Sequence, residues 1–220
     1  MSELQGLSPA QADEATAVIE QYKHPKPMLI VISGPSGVGK DSVVQRLREL
    51  NPALEFVVTA TDRLPRQGEV DGVDYHFVST ARFREMIAND ELLEYALVYG
   101  QYKGVPREGV RRALASGRDV VMRLDVQGSA TVRQKVPQAL TIFLLPPSLD
   151  ILVQRLGQRA TDSPQQVAKR LQTVLIEMER IREFDYAVVN EHGALDQTAE
   201  RIIAIMTAEK CRVAQRKVIL

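Results

Sequence analysis

The chain has 220 residues, 45% of them hydrophobic and 25% charged, and its 28 basic side chains balance 28 acidic ones. That length supports one main domain with room for inserted lobes, and the even composition excludes a disordered or fibrous chain. The charge balance removes any global positive field for nucleic acid or an anionic membrane, and a single cysteine, Cys211, excludes an internal disulfide.

At the start of the chain, Ser8 as N-cap, Pro9 at the first helical position and apolar spacing through Ala15, Val18 and Ile19 predict a helix to Tyr22. The stretch KHPKP, Lys23 to Pro27, ends it. Residues 1–25 are expected to form an appendage that packs on the main domain. The opening MSELQGLSPA lacks a basic start, an apolar segment or an Arg- and Ser-rich leader, and no run approaches the roughly 20 apolar residues of a membrane span. The expectation is a cytoplasmic protein, with neither membrane nor nucleic acid as a partner.

Short apolar runs then alternate with helical patterns: MLIVIS, Asp41 to Leu50, FVVTA, Val105 to Ala115, DVVMRL, Gln127 to Val136, LTIFLL, Leu149 to Leu156, YAVVN, and a last helix from Leu195. Continuous apolar strands separated by helices imply a parallel sheet covered on both faces, a three-layer α/β fold. Two stretches break the rhythm. Thr61 to Tyr99 is polar and turn-rich and suits a small β-rich lobe. Gly157 to Arg170 is a polar connection opening a helix, with Thr161 or Ser163 as cap and Pro164 in the first turn. The expected division is a core of 26–58, 100–156 and 171–209, an inserted lobe of 59–99, a lid of 157–170, and an extension of 210–220.

Gly34-Pro35-Ser36-Gly37-Val38-Gly39-Lys40 follows the first apolar strand and precedes a helix, the context of a nucleotide phosphate loop. Glycines let successive backbone N–H groups wrap toward phosphate oxygens, the helix adds its positive end, and Lys40 reaches the β- and γ-phosphates. Asp41 stands where such loops carry a serine or threonine hydroxyl for Mg²⁺, and Ser42 offers a substitute. The Asp41 carboxylate can hold Mg²⁺ directly or through water, oppose the phosphates, or favour the helix dipole. Further on, Thr59 to Tyr75 carries Arg63 and Arg66, two forks suited to a phosphate, and Glu69, a carboxylate able to accept from a ring N–H and an exocyclic amine together. Guanine presents such a donor pair.

With these residues in view, the chain resembles the guanylate kinase family from residue 28 to about 209. The matching motifs are GPSGVGK, TATDRLPRQGEVDGVDYHFV, DVQG at Asp125 to Gly128, FLLPPSL at Phe143 to Leu149, RATDS, and VVN at Val188 to Asn190. The plastid-type and related bacterial subgroup is nearest, since GKD, YKG and a basic residue before the strand aspartate occur together there. The resemblance implies transfer of the γ-phosphoryl group of Mg·ATP to GMP, giving ADP and GDP, with dGMP also accepted, by a monomer or homodimer. It implies that Gly34 to Ser42 bind ATP, with Lys40 catalytic, and that Arg63, Arg66 and Tyr75 bind the GMP phosphate. Glu69 and Thr59 would read guanine, with Glu94 a further candidate. Asp125 would lie near Mg²⁺ and the ribose or phosphate, Arg155, Arg159 and Arg170 would close over the transferring group, and Asn190 would touch adenine. Metal contacts would come from Asp41, Ser42 and Asp125.

Several positions depart from the family pattern. Asp62 stands beside Arg63 and would pair with it or compete with phosphate for it. Lys103 replaces a phosphate-binding tyrosine, Val105 a guanine-binding hydroxyl, and Ala160 a lid glycine. Asp41, Lys103 and Arg123 together suggest a shifted local charge balance. Two other readings share these motifs: a ribose 1,5-bisphosphate kinase, whose loop also reads GKDS, and a non-catalytic guanylate-kinase-like module that binds proteins.

Overall fold

LIVIS has no polar residue before Ser33, so a strand made from it must be covered on both faces. In the computed structural model, which describes residues 8–66, 68–98, 100–157 and 164–220, and of 98, 157 and 164–170 the backbone alone, strand β1 (Leu29–Ser33) is buried at all five positions. It lies at the centre of a parallel five-stranded sheet with β2 (Glu55–Phe56), β7 (Val120–Arg123), β8 (Leu140–Leu145) and β9 (Tyr186–Val189), in the order β2-β7-β1-β8-β9.

Side-chain alternation along β1 divides the core in two. Ile30 and Ile32 face Val43 and Leu47 of α2 (Lys40–Leu50) and Ile202 and Met206 of α8 (Leu195–Lys210). Leu29 and Val31 face Val110 of α4 (Arg107–Ala115) and Val132 of α5 (Val126–Lys135). Helices on both faces of one parallel sheet give the expected three-layer α/β architecture. The C-terminal ends of β1 and β7 open onto the site.

A second sheet of four strands stands beside the first, in the order β4-β3-β6-β5. Its members are β3 (Thr59–Thr61), β4 (Tyr75–Phe77), β5 (Leu92–Val98) and β6 (Gln101–Pro106). β3 and β4 are parallel and the other pairs antiparallel. Helix α3 (Thr80–Ala88), capped by Ser79, closes its core by setting Phe83 and Met86 against Ala60 and Leu92.

Three boundaries and one packing expectation differ from what the sequence suggests. FVVTA is split, because Phe56 ends edge strand β2 while the chain crosses at Val57 to start β3 in the other sheet. Residues 101–106, expected in the core, belong to the second sheet. Val105 lies in that strand, and α4 starts only after Pro106, whose ψ of 121° is extended and which disfavours a helical residue before it. The appendage also departs: α1 (Pro9–Lys23) has the Ser8 cap, completed by Gln11 as a capping box, yet buries none of its residues. Its Tyr22 hydroxyl donates to the Val213 carbonyl at 3.2 Å, while Val18 and Ile19 remain exposed.

The C-terminal extension folds back under the sheet. Arg216 reaches buried Glu209 at 2.6 Å and donates to the Ala139 carbonyl at 3.1 Å, while Val218 and Leu220 pack against the second core face. Helices α6 (Leu149–Gly157) and α7 (Pro164–Glu179) meet through Leu152, Leu156 and Val174. Arg159, Ala160 and the expected caps Thr161 and Ser163 lie outside the described residues, as does the side chain of Arg170.

Candidate active site

The phosphate loop wraps between β1 and α2 as its glycine spacing requires. Gly39 has φ 96°, and a β-carbon there would approach the Asn190 amide nitrogen to 2.6 Å, so backbone conformation and close packing both demand glycine. That amide braces the loop: Asn190 Nδ2 donates to the Val38 carbonyl at 2.8 Å, joined by Arg155 Nη1 at 3.3 Å. Asn190 is buried and committed to the loop, so the geometry gives no support to its expected contact with adenine. Lys40 Nζ turns inward, donating to the carbonyls of Gly34 at 2.6 Å and Pro35 at 3.1 Å.

Glu177, which sequence reasoning did not single out, comes from α7 to the mouth of this loop. Its carboxylate accepts the Ser36 N–H at 3.3 Å. Burial pushes its pKa up, while nearby Lys40 holds it down. A contact 141 positions away in sequence has no local signal; only the fold brings it here.

Opposite the loop, the second sheet presents Tyr75 at the head of β4, with Thr59 as its register partner. Three cations surround the phenol ring: Arg63 at 4.8 Å, Lys103 at 5.9 Å and Arg123 at 6.0 Å from the centroid. Arg63 is itself clamped by Glu69 in a bidentate pair at 2.6 and 2.5 Å. Glu69 also accepts the Arg66 N–H at 2.7 Å, and the Arg63 guanidinium, followed by this amide, holds its carboxyl down to about 2. Both oxygens thus accept hydrogen bonds from the protein in this structure. Asp62 does not hold Arg63, as was one expectation. It accepts the Tyr102 N–H at 2.7 Å and the Thr80 hydroxyl at 2.9 Å, tying β3 to β6 and α3.

Glu94 is the contrasting carboxylate. It sits on β5 opposite Val105, only 4% exposed, with no hydrogen bond to a described residue. A β-carbon at Gly128 would meet its Oε2 at 2.8 Å, which places Glu94 against the start of α5. Burial, then the Asp125 carboxylate, push its pKa up to about 8, against a smaller opposing effect of Lys135. Asp125 caps α5, accepting the Gly128 N–H at 2.7 Å. Val105 is buried in the core beside Leu93 and Val110, so it offers the site no polar group.

Arg123, at the end of β7, links the two halves. It donates to the Tyr75 hydroxyl at 3.0 Å and forms an ion pair with Asp41 in the first turn of α2. The expected metal carboxylate is therefore occupied by a guanidinium. Arg66 is exposed at the rim, and Ser42 is exposed beside Asp41.

Comparison with known proteins agrees with this arrangement. The guanylate kinase family model matches residues 26–209. "Guanylate kinase 2, chloroplastic/mitochondrial" of Oryza sativa is 49% identical over 88% of this chain and 68% of its own length. A guanylate kinase of Desulfitobacterium hafniense is 43% identical over 86% of this chain and 94% of its own. The crystal structure of guanylate kinase from Anaplasma phagocytophilum superposes with a TM-score of 0.68 at 28% identity, covering 87% of this chain and 89% of that one. With the loop, the cation-ringed tyrosine and these likenesses in agreement, the chain belongs to the guanylate kinase family.

Proposed function

We infer that the protein is an ATP:GMP phosphotransferase of purine nucleotide metabolism, giving ADP and GDP, with dGMP also accepted. The observation that carries this reading is the pairing of two anion sites across one cleft: the Lys40 loop on one side and Tyr75 with Arg63, Lys103 and Arg123 on the other, bridged by Arg123.

On the donor side, loop N–H groups and the start of α2 would take the triphosphate. Lys40 would exchange loop carbonyls for phosphate oxygens, and Glu177 would yield the Ser36 amide. On the acceptor side, Arg63, Arg66, Tyr75 and Lys103 would hold the GMP phosphate. Glu94, with Thr59, is the better candidate for reading guanine, since its carboxylate makes no hydrogen bond to a described residue while Glu69 is consumed by Arg63. Glu69 then becomes a positioning residue. Burial raises the value of each bond from Glu94 to the base, because an unmade buried bond costs about 1–3 kcal/mol.

Among the described residues no cluster of three or more His, Cys, Asp or Glu side chains could hold a metal. The donor set instead suits Mg²⁺ arriving with nucleotide phosphates, since that ion commonly keeps waters and takes only one or two protein ligands. Ser42 and, through water, Asp125 would be those ligands, while the pairing of Asp41 with Arg123 opposes direct ligation by Asp41. Bound Mg²⁺ would supply charge neutralisation on the transferring group.

In the transfer, an oxygen of the GMP phosphate forms a bond to the γ-phosphorus as the bond to the β-bridging oxygen breaks and ADP leaves. The nucleophile is already anionic, so alignment and charge neutralisation suffice and no general base is needed. Arg155, Arg159 and Arg170 would close the site and keep water out. Cytoplasmic placement is favoured by the lone cysteine; no helix among the described residues is long and apolar enough to cross a membrane. A coupled ADP-release assay with GMP, dGMP, AMP and ribose 1,5-bisphosphate tests the reading. Turnover with the two guanine nucleotides is expected. Turnover confined to the ribose bisphosphate would overturn it, and none with any acceptor would leave the protein-binding module.

A further inference from the structure

The acidic residue after the loop lysine and the basic residue at the end of β7 are distant in sequence and touch in space. Arg123 Nη1 pairs with Asp41 Oδ1 while Nη2 donates to the Tyr75 hydroxyl at 3.0 Å. The guanidinium therefore spans from the donor helix to the acceptor sheet. Its side chain is 31% exposed and that of Asp41 75%, so the carboxylate anchors the arginine from the solvent side of the cleft.

Charge around Tyr75 points to a role. Arg63, Lys103 and Arg123 converge on the ring, with Glu69 paired to Arg63 and Asp41 to Arg123. Arg123 brings its guanidinium to the phenol hydroxyl itself, and the Arg63 guanidinium lies over the same ring. A dianionic phosphate monoester suits two such guanidinium forks, and a fork held by two contacts loses less freedom on binding it than an unanchored one.

We propose that Arg123 is a further acceptor-phosphate residue and that Asp41 is the positioning residue that aims it, so that a side chain of the donor loop governs acceptor affinity. This rests on the reading of GMP as acceptor. It differs from a metal role for Asp41, which would act on Mg·ATP alone, and from a helix-dipole role, which would act on stability alone.

The test is calorimetric titration of GMP into the full chain in EDTA with no other nucleotide present. Arg123→Met is expected to raise the GMP Kd by about tenfold or more, the loss of one charge-assisted bond. Asp41→Asn should raise it about three- to fivefold, Asp41→Glu should restore it, and Asp41→Asn should have no further effect in the Arg123→Met background. Urea midpoints of each variant identify any loss through unfolding, with Arg123→Lys as a second variant that keeps the charge and loses the fork. If GMP affinity is unchanged in Arg123→Met, or if Asp41→Asn has the same effect in both backgrounds, the proposal is overturned. If the unaltered protein does not bind GMP, the acceptor reading falls with it.

Discussion

The proposed donor loop and acceptor lobe face each other across one cleft and would recognise phosphate by opposite means. In the loop the ligands would be chiefly backbone N–H groups, and the side chains around it, Asn190 and Arg155, hold the Val38 carbonyl in place. In the lobe the ligands would be side chains on and beside a small mixed sheet, where Glu69 holds Arg63 and Asp41 holds Arg123. A backbone site needs a particular chain path. A side-chain site needs partners, and its chemistry changes when partners are exchanged.

Substitutions can sharpen that contrast. The largest effect is expected at Lys40, the one side chain of the loop that must reach the transferring group: Lys40→Met should lower kcat/KM by about 10²- to 10³-fold in a steady-state assay while GMP titration stays unchanged. Next comes Glu94→Gln, which should raise the GMP Kd about 100-fold, for two impaired buried bonds, with little change for an ATP analogue. Glu69→Gln should cost about tenfold in GMP affinity by loosening Arg63; a larger loss than that of Glu94→Gln would reverse the assignment of the two carboxylates.

A pH effect separates the same pair. Glu94 titrates near 8 in the free protein, so it is protonated at neutral pH, whereas guanine's two donors require the carboxylate. Binding of GMP below pH 8 should therefore release a proton, and affinity should rise with pH and level off above about 8. Calorimetry in buffers of different ionisation enthalpy reads the released proton directly, and the Glu94→Gln variant should release none. The smallest effect is expected far from either site: Val18→Ser on α1, which buries nothing, should change stability by less than about 0.5 kcal/mol.

The same contrast explains what the sequence made legible. A backbone site is written in contiguous residues, so Gly34 to Lys40 with the strand before and the helix after could be read without the fold, as could the layers around β1. The acceptor site was legible only as an inventory. Arg63, Glu69, Tyr75 and Glu94 were all named, but which carboxylate was free depended on a pairing six residues apart within an irregular loop. The bond from the Asn190 amide to the Val38 carbonyl was not legible, because a buried amide serving a carbonyl looks the same in sequence as one serving a base. Glu177 and the bridge from Arg123 to Asp41 and Tyr75 join segments far apart in the chain, where no local spacing carries information.

The claim that binds these observations is that Glu94, and not Glu69, selects the base. Inosine monophosphate keeps the ring N–H of guanine and lacks its exocyclic amine, so the ratio of IMP to GMP dissociation constants isolates that choice. The ratio should collapse toward one in Glu94→Gln and persist in Glu69→Gln even as both nucleotides bind more weakly. A ratio that survives in Glu94→Gln and collapses in Glu69→Gln would contradict the account.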